Sequence, residues 1–218
     1  PAVPDACSDT YSHFVGWFTE VAGSESSPSN APQGNKVTAS TVPTGDATYH
    51  AVWADGDLEG VLEVELDFSN KNNWSPVLPT TKKYTTTEDS YTTKYNDKNY
   101  TVKIAGDGNS NNGWYFSENN TNLNNLVLGK QNSYLKLPAF EFPVSKIVCT
   151  SPSGTASGKV TWNVFVGENA VSTELTGCTT GGTFEISAEN QVVGNIFQIK
   201  VLNENNLQFK KIQIYSNT

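Results

Sequence analysis

Strict alternation of apolar and polar residues is the feature that most constrains the fold of this chain. In LEVELDF, the residues Leu62, Val64, Leu66 and Phe68 alternate with acidic ones, so a period of two puts all four on one face. This pattern predicts a half-buried strand. The same alternation predicts strands in YTVKI, KVTWNVFV and TFEISA, and the segments NIFQIKV, QFKKIQIY and KIVCT have strand composition. No window carries the 3.6-residue apolar stripe of an amphipathic helix.

Turn-forming segments separate these strands at fairly regular intervals. GDGNSNNG, SPSGTASG, TGCTTGG and NENN are rich in glycine and asparagine, which tolerate a positive φ at hairpin turns. Gly167 and the NENN stretch at 203–206 are predicted turns of this kind. Many short strands with turns between them predict an all-β fold, an antiparallel β-sandwich or jelly roll, rather than alternating strands and helices.

The character of the sequence changes near residue 55 and predicts two domains. A length of 218 residues suits one large or two modest domains. Residues 1–54 hold short strands around HFVGWF and TYHAVWA, separated by the polar stretch SESSPSNAPQGN. The acidic, glycine-containing DGDLEG follows, and we place the boundary there, so that 55–218 forms the β-sandwich. Residues 69–98 are rich in Thr, Lys and Tyr and are predicted to be either two polar strands or an extended loop.

The charge balance argues against nucleic acid as a partner. With 14 basic and 22 acidic residues the formal net charge is -8, so a phosphate backbone would repel the chain. No stretch approaches the roughly 18 consecutive apolar residues of a membrane span. No basic segment followed by an apolar one marks a secretion signal, so we expect such a signal to be removed or to lie upstream.

The residue types that enzymes use are not arranged for catalysis in this sequence. His13 and His50 both lie in the first module, and no G-x-S-x-G segment supplies a nucleophile. Glycoside hydrolysis needs two carboxylates about 5 to 10 Å apart across a cleft, whereas the acids here mostly alternate outward on strands. We therefore predict no catalytic residues and no enzymatic activity.

Metal and cofactor binding are also not predicted. The two histidines are too far apart in sequence for a zinc motif. Asp107, Asn109, Asn111 and Glu118 fall at positions of a calcium loop, but Gly113 stands one position late and WYFS predicts a strand where a helix should begin. A polar hairpin tip is the simpler interpretation. A second weak calcium candidate is the junction formed by Asp55, Asp57 and Glu59.

The three cysteines give no clear disulfide framework. Cys149 lies in the strand-like KIVCT and Cys178 in the loop-like TGCTTGG, and this difference together with the odd count favours buried thiols. Pairing of these two stays open. Cys7, in PDAC, lacks the preceding apolar run of a lipoprotein acylation site.

The first module resembles a known family of small repeats. FVGW at 14–17 and VTASTVPTGDATYHAVW at 37–53 resemble the Listeria–Bacteroides repeat, the internalin-B-type repeat of bacterial surface proteins, with His50 where an aromatic residue is usual. The resemblance implies a small β-grasp-like module that begins inside the repeat, without its first strand. Trp17 and Trp53 are then expected to form most of its core, because about 50 residues bury little aliphatic surface.

The second half of the chain resembles a β-sandwich module common in Bacteroides surface and secreted proteins. The matching segments are SYLKLPAFEFPVSKIVCTSPSG, NVFVGENAVSTELTG and GNIFQIKVLNENNLQFKKIQIY. The resemblance implies a non-catalytic module at an extracellular or outer-membrane location. Any function has to be argued from a site, since no activity belongs to the fold itself.

Exposed aromatic residues beside asparagines make carbohydrate binding the sharpest functional hypothesis. Sugar C–H faces stack on aromatic rings, and amide side chains satisfy hydroxyls as donor and acceptor together. We therefore predict a glycan site formed by Trp74, Trp114, Tyr115, Asn72 and Asn111. The alternative is a structural spacer or adhesin module that contacts surface proteins and has no small-ligand site; such a module would bury its aromatic residues.

Overall fold

The structure, a computed structural model, describes residues 13–24, 27–37, 48–54, 60–109, 112–118, 124–152 and 158–217. The chain divides into two compact units, with the boundary between Glu59 and Gly60. Regular structure in these ranges is β-strand and two short 3-10 turns, with no α-helix, and none of it contains a helix long and apolar enough for a membrane span. The predicted all-β class is confirmed. Independent folding of the two units stays a prediction.

The first unit contains a three-stranded antiparallel sheet. Its strands are β1 (His13–Ser24), β2 (Ser27–Lys36) and β3 (His50–Ala54), in the order β2-β1-β3. Strand β2 was not predicted, because its segment SPSNAPQGNK is composed like a loop. It lies at the edge of the sheet, where prolines are tolerated since they need not donate to a second neighbour.

The backbone register of this sheet places the two tryptophans of the first unit on paired strands. Trp17 is opposite Ala51 and Phe14 is opposite Trp53. The side chain of Trp17 is half-buried. The proposed aromatic core of this unit is compatible with that register and stays a prediction.

The second unit is an antiparallel β-sandwich. One sheet has the order β14-β10-β17-β4, a seven-stranded sheet has the order β12-β11-β15-β9-β6-β5 with β13 paired to β11, and a smaller sheet has the order β16-β8-β7. The strands are β4 (Val61–Asp67), β5 (Asp89–Tyr95), β6 (Lys98–Ala105), β7 (Tyr115–Ser117), β8 (Asn125–Leu128), β9 (Tyr134–Lys136), β10 (Val144–Thr150), β11 (Thr161–Val166), β12 (Asn169–Ala170), β13 (Leu175–Thr176), β14 (Gly182–Glu185), β15 (Phe197–Val201), β16 (Leu207–Phe209) and β17 (Lys211–Ser216).

The alternating strands supply the core of this sandwich. Val64 and Leu66 of β4 are fully buried, and their neighbours on β17, Ile214 and Ile212, are buried on the same face. Trp162 of β11 meets Phe184 of β14 edge-to-face, with ring centroids 4.8 Å apart, so it joins the two larger sheets. Its indole nitrogen donates to the carbonyl oxygen of Gly177 at 2.9 Å. Trp162 is itself fully buried.

Residues 69–98 combine the two predicted alternatives. They begin with a 3-10 turn (Lys71–Asn73) and continue as an extended segment, residues 74–88, which we call the extended cover. They end in strand β5, which pairs along its length with β6. The cover is tied to the sheet at Ser75 and Thr92, whose backbone groups exchange two hydrogen bonds of 2.8 Å. A polar segment can therefore pack here because its backbone groups find partners at the edge of the sheet.

The carboxylate of Glu88, the residue before β5, contacts side chains of β6 and β9 on the outer face of the large sheet. Glu88 pairs with Lys136 and with Lys103 (3.2 Å), and it accepts a hydrogen bond from the Tyr134 hydroxyl at 3.1 Å. The hydrogen bond from Lys136 lowers the pKa of the Glu88 carboxyl, against the opposing effect of partial burial. Lys103 and Lys136 are direct cross-strand neighbours, so Glu88 offsets a repulsion that would otherwise weaken the sheet.

Cys149 and Cys178 are both buried thiols. Burial raises the pKa of the Cys149 thiol, and a negative charge on Cys178 would raise it further. Neither is therefore poised as a reactive thiolate, which needs exposure and a lowered pKa. Cys7 lies outside the described residues.

Candidate functional site

Trp74, the residue expected to be an exposed sugar platform, is a core residue. Its side chain is 2% exposed and stacks on Phe68, with ring centroids 4.5 Å apart. The indole nitrogen donates to the carbonyl oxygen of Asp67 at 2.9 Å. Both the ring face and the polar edge of the indole are thus taken by the protein itself. The prediction of a ligand-stacking role for Trp74 is wrong.

The local backbone explains why Trp74 turns inward despite its polar neighbours. Asn70 caps the 3-10 turn, because its side chain accepts a hydrogen bond from the Asn72 backbone nitrogen at 3.0 Å. The turn leaves Asn72 and Asn73 exposed and directs the next residue toward Phe68. From the sequence alone, three exposed asparagines beside a buried tryptophan cannot be distinguished from a loop that exposes its aromatic residue.

Trp114 is also buried, and it does not join Trp74 in a common pocket. It is 0% exposed and meets Tyr91 edge-to-face at 5.5 Å. A backbone bridge to Lys83 holds it under the extended cover. Trp114 therefore stabilises the core beneath β5, and the predicted platform role is wrong for this residue as well.

Of the remaining predicted site residues, the structure describes Tyr115 and Asn72. Tyr115 is half-buried, and its ring lies under the ammonium of Lys82, 5.7 Å from the centroid. Asn72 is exposed on the 3-10 turn. Asn111 lies outside the described residues. With Trp74 and Trp114 buried, the described residues of the predicted set do not form an exposed aromatic platform, although Trp74 and Asn72 both line a cleft described below.

The calcium-like loop has its carboxylates occupied by protein donors. Asp107 accepts from the Asn109 backbone nitrogen at 2.8 Å and from the Asn112 side-chain amide at 2.6 Å. Glu118 pairs with Lys71 at 2.6 Å. The loop joins β6 to β7, which lie in different sheets, so it is a hydrogen-bonded connection between sheets and the predicted hairpin tip is wrong. The described residues contain no cluster of three or more metal-ligating side chains. Asp55, Asp57 and Glu59 lie outside them.

A concave aromatic groove, not foreseen from the sequence, lies between the start of β6 and the loop that joins β9 to β10. Its volume is about 410 Å³. Phe140 and Phe142 stack at its floor with centroids 5.2 Å apart, and Tyr100 lies 6.3 Å from Phe140. Phe140 is buried, whereas Tyr100 and Phe142 are half-exposed. The lining residues are Lys98, Asn99, Tyr100, Pro138, Ala139, Phe140, Glu141 and Phe142.

The charged side chains that line the aromatic groove, Lys98 and Glu141, have opposite charges. Lys98 and Glu141 form an ion pair of 3.6 Å, and both side chains are largely exposed, at 69% and 90%. An exposed pair of this kind adds little stability and can rearrange around a ligand. Burial raises the pKa of the Tyr100 hydroxyl, with Lys98 opposing and Glu141 and Glu63 adding to the rise. That hydroxyl therefore stays protonated at neutral pH, able to donate and to accept.

A second, shallower cleft adjoins the first at Asn99. Its volume is about 290 Å³, and it lies between the 3-10 turn and the edge strand β5. Most of its side chains are amides and hydroxyls, and Lys94 is the one charged residue among them. The lining residues are Asn72, Asn73, Trp74, Ser75, Thr92, Thr93, Lys94 and Asn99.

Sequence reasoning passed over the residues of the aromatic groove for a physical reason. Tyr100 belongs to the alternating segment YTVKI, where a tyrosine is an ordinary strand residue, and PAFEFP lies within a segment that resembles a known module. The available signal was Phe140 and Phe142 flanking a charged residue between two prolines, a segment that cannot be a central strand. What that segment faces depends on β6, which is distant in sequence.

Comparison with known proteins adds no family assignment to this geometry. No protein-family model matches the chain, and a search of curated proteins finds no significant similarity.

Proposed function

We propose that residues 60–217 form a non-catalytic, carbohydrate-binding-like module of a secreted or cell-surface bacterial protein. The observation that carries the proposal is the aromatic groove, in which Tyr100, Phe140 and Phe142 line a concavity of about 410 Å³. Its size falls in the range of about 300 to 1,000 Å³ typical of small-ligand sites. The cell-surface setting is supported by the likeness of both halves of the chain to bacterial surface modules.

The chemistry of the aromatic groove suits a sugar. The partly exposed side chains of Tyr100 and Phe142 offer apolar ring surface to the C–H face of a pyranose. The Asn99 amide and the Tyr100 hydroxyl can each donate and accept, as sugar hydroxyls require. The Lys98–Glu141 pair balances charge, which favours a neutral ligand over an ion.

The same groove is poorly equipped for glycoside hydrolysis. Glu141 is paired with Lys98 and is 90% exposed. Glycoside hydrolysis needs two carboxylates across a cleft, and Glu141 is the one carboxylate among the lining residues of the groove. Binding without turnover is therefore the proposed activity.

A structural spacer or adhesin module is the second candidate. It is favoured by the burial of Trp74, Trp114 and Trp162, the large rings that binding modules most often expose. In that case the aromatic groove would be a surface irregularity of the loop between β9 and β10, and the partner would be another surface protein.

A glycan array probed with the full 218-residue chain tests the choice between these candidates. The discriminating variant is Phe142→Leu, which keeps apolar volume and removes the aromatic face. We expect about three- to tenfold weaker binding, because an aromatic stack contributes about 0.5 to 1.5 kcal/mol. Tyr115→Leu is the matched control, since Tyr115 is a half-buried ring outside the groove, and it should bind like the parent.

Salt and melting measurements complete this test. Binding should change little between low and high salt, because the charges of the aromatic groove are already paired. Both variants should melt close to the parent temperature. Absence of binding to any glycan, or equal loss in both variants, would leave the spacer as the function.

A further inference from the structure

Asn99 is shared by the two clefts, and this is the observation from which the inference starts. It lies on β6 opposite Lys94 of β5, where its exposed side chain borders the aromatic groove on one side and the amide-rich cleft on the other. The two concavities thus adjoin at one shared lining residue and differ in chemistry. One presents ring faces and the other presents amides and hydroxyls.

The amide-rich cleft is held in shape by its own hydrogen bonds. Thr93 donates from its hydroxyl to the Asn73 carbonyl oxygen at 2.9 Å, and Ser75 and Thr92 exchange backbone hydrogen bonds of 2.8 Å. The Thr92 hydroxyl is a further 2.8 Å from that of Thr101 on the neighbouring strand. A ligand would therefore meet walls that need little ordering, which reduces the entropic cost of binding.

We propose that the ligand of this surface is an extended neutral glycan of two or more sugar units, bound across both clefts with Asn99 between them. One unit stacks in the aromatic groove, and the next lies against the amides of Asn72 and Asn73. This inference rests on the proposed carbohydrate-binding function and specifies its ligand class. A single sugar could occupy one cleft only.

Two features favour this ligand: the charge of the lining residues and the covalent connection of the two sugar units. Lys98 and Glu141 cancel, so Lys94 is the remaining charged residue along the two linings, which suits an uncharged polymer. Two shallow subsites bind weakly when taken singly, because little area is buried in each. Joining the two units in one chain makes the second contact intramolecular, and affinity then grows with chain length.

Titration calorimetry on the full 218-residue chain tests the inference. The ligands are β-glucan, xylan, mannan and galactan oligosaccharides, each as a series from one to six units. We expect at least about tenfold tighter binding for four units than for one in the preferred series. Asn99→Ala should remove most of that gain, weakening the binding of four units by a larger factor than the binding of one. Asn169→Ala is the control, since Asn169 is an exposed asparagine on β12, at the opposite edge of the sheet from β5.

The outcomes separate this inference from the proposed function. Binding that requires the Phe142 ring but is equal for one and four units would overturn the two-cleft ligand and leave the sugar site in place. An Asn99→Ala variant that keeps the full chain-length gain would overturn it too. No binding to any member of any series would overturn both proposals.

Discussion

At the scale of single residues, Trp74 ties the extended cover to the core. Its ring packs on Phe68 and its nitrogen satisfies a backbone carbonyl, so removal of the indole leaves a cavity and an acceptor without its partner. Trp74→Ala should therefore lower the free energy of unfolding by about 3 to 5 kcal/mol. Urea unfolding monitored by circular dichroism measures this change.

A conservative variant separates packing from hydrogen bonding at Trp74. Trp74→Phe keeps most of the stacked area and loses the donor to Asp67, so its cost should be smaller than that of alanine, the hydrogen bond itself contributing about 1 kcal/mol. If the alanine variant unfolds at the same urea concentration as the parent, the indole does not support the core and its assignment to the interior is wrong.

At the scale of elements, the turn into β14 depends on a glycine for two reasons. Gly181 has a φ of +98°, and a Cβ added there would lie 1.9 Å from the Cys149 carbonyl oxygen on the adjacent strand β10. Gly181→Ala should therefore destabilise the protein by about 2 to 4 kcal/mol, because backbone strain and a clash with a strand add together. Thermal unfolding measures the effect.

Gly167 provides a control for Gly181 with the same sign of φ and no neighbours. Its φ is +60°, and a Cβ added there meets nothing within 4 Å. Gly167→Ala should cost only about 1 kcal/mol, the strain of the left-handed region. Equal effects of the two substitutions would show that crowding at β10 contributes nothing.

At the scale of the whole molecule, the chain divides between Glu59 and Gly60, and the described core cluster of the second unit runs from Val64 to Ile214. Because the second unit has this core of its own, limited proteolysis should release a stable fragment that begins near residue 60. Its melting temperature should match the main transition of the full chain. A fragment that is degraded without accumulating would mean that the sandwich needs the first unit to fold.

Some of the shortest strands could not be predicted from the sequence. The long alternating segments form strands as predicted, among them β4, β6 and β11, because a period of two is a local property of the chain. The short strands β9 and β12 span three and two residues and carry no period to detect, whereas β7 lies in WYFS, which the sequence predicts as a strand. Strand β2 was missed because pairing with β1, rather than its composition, makes it a strand.

The sequence by itself determined the all-β class, the alternating core positions and the turn residues, since each depends on residues that are neighbours in the chain. The tertiary structure alone decided which aromatic rings meet solvent. Trp74 and Trp114 follow asparagines and yet are buried, whereas Tyr100 and Phe142 remain half-exposed. Exposure is set by what packs over a ring, and for the aromatic groove those neighbours come from β6 and from the loop between β9 and β10, which only the folded sandwich brings together.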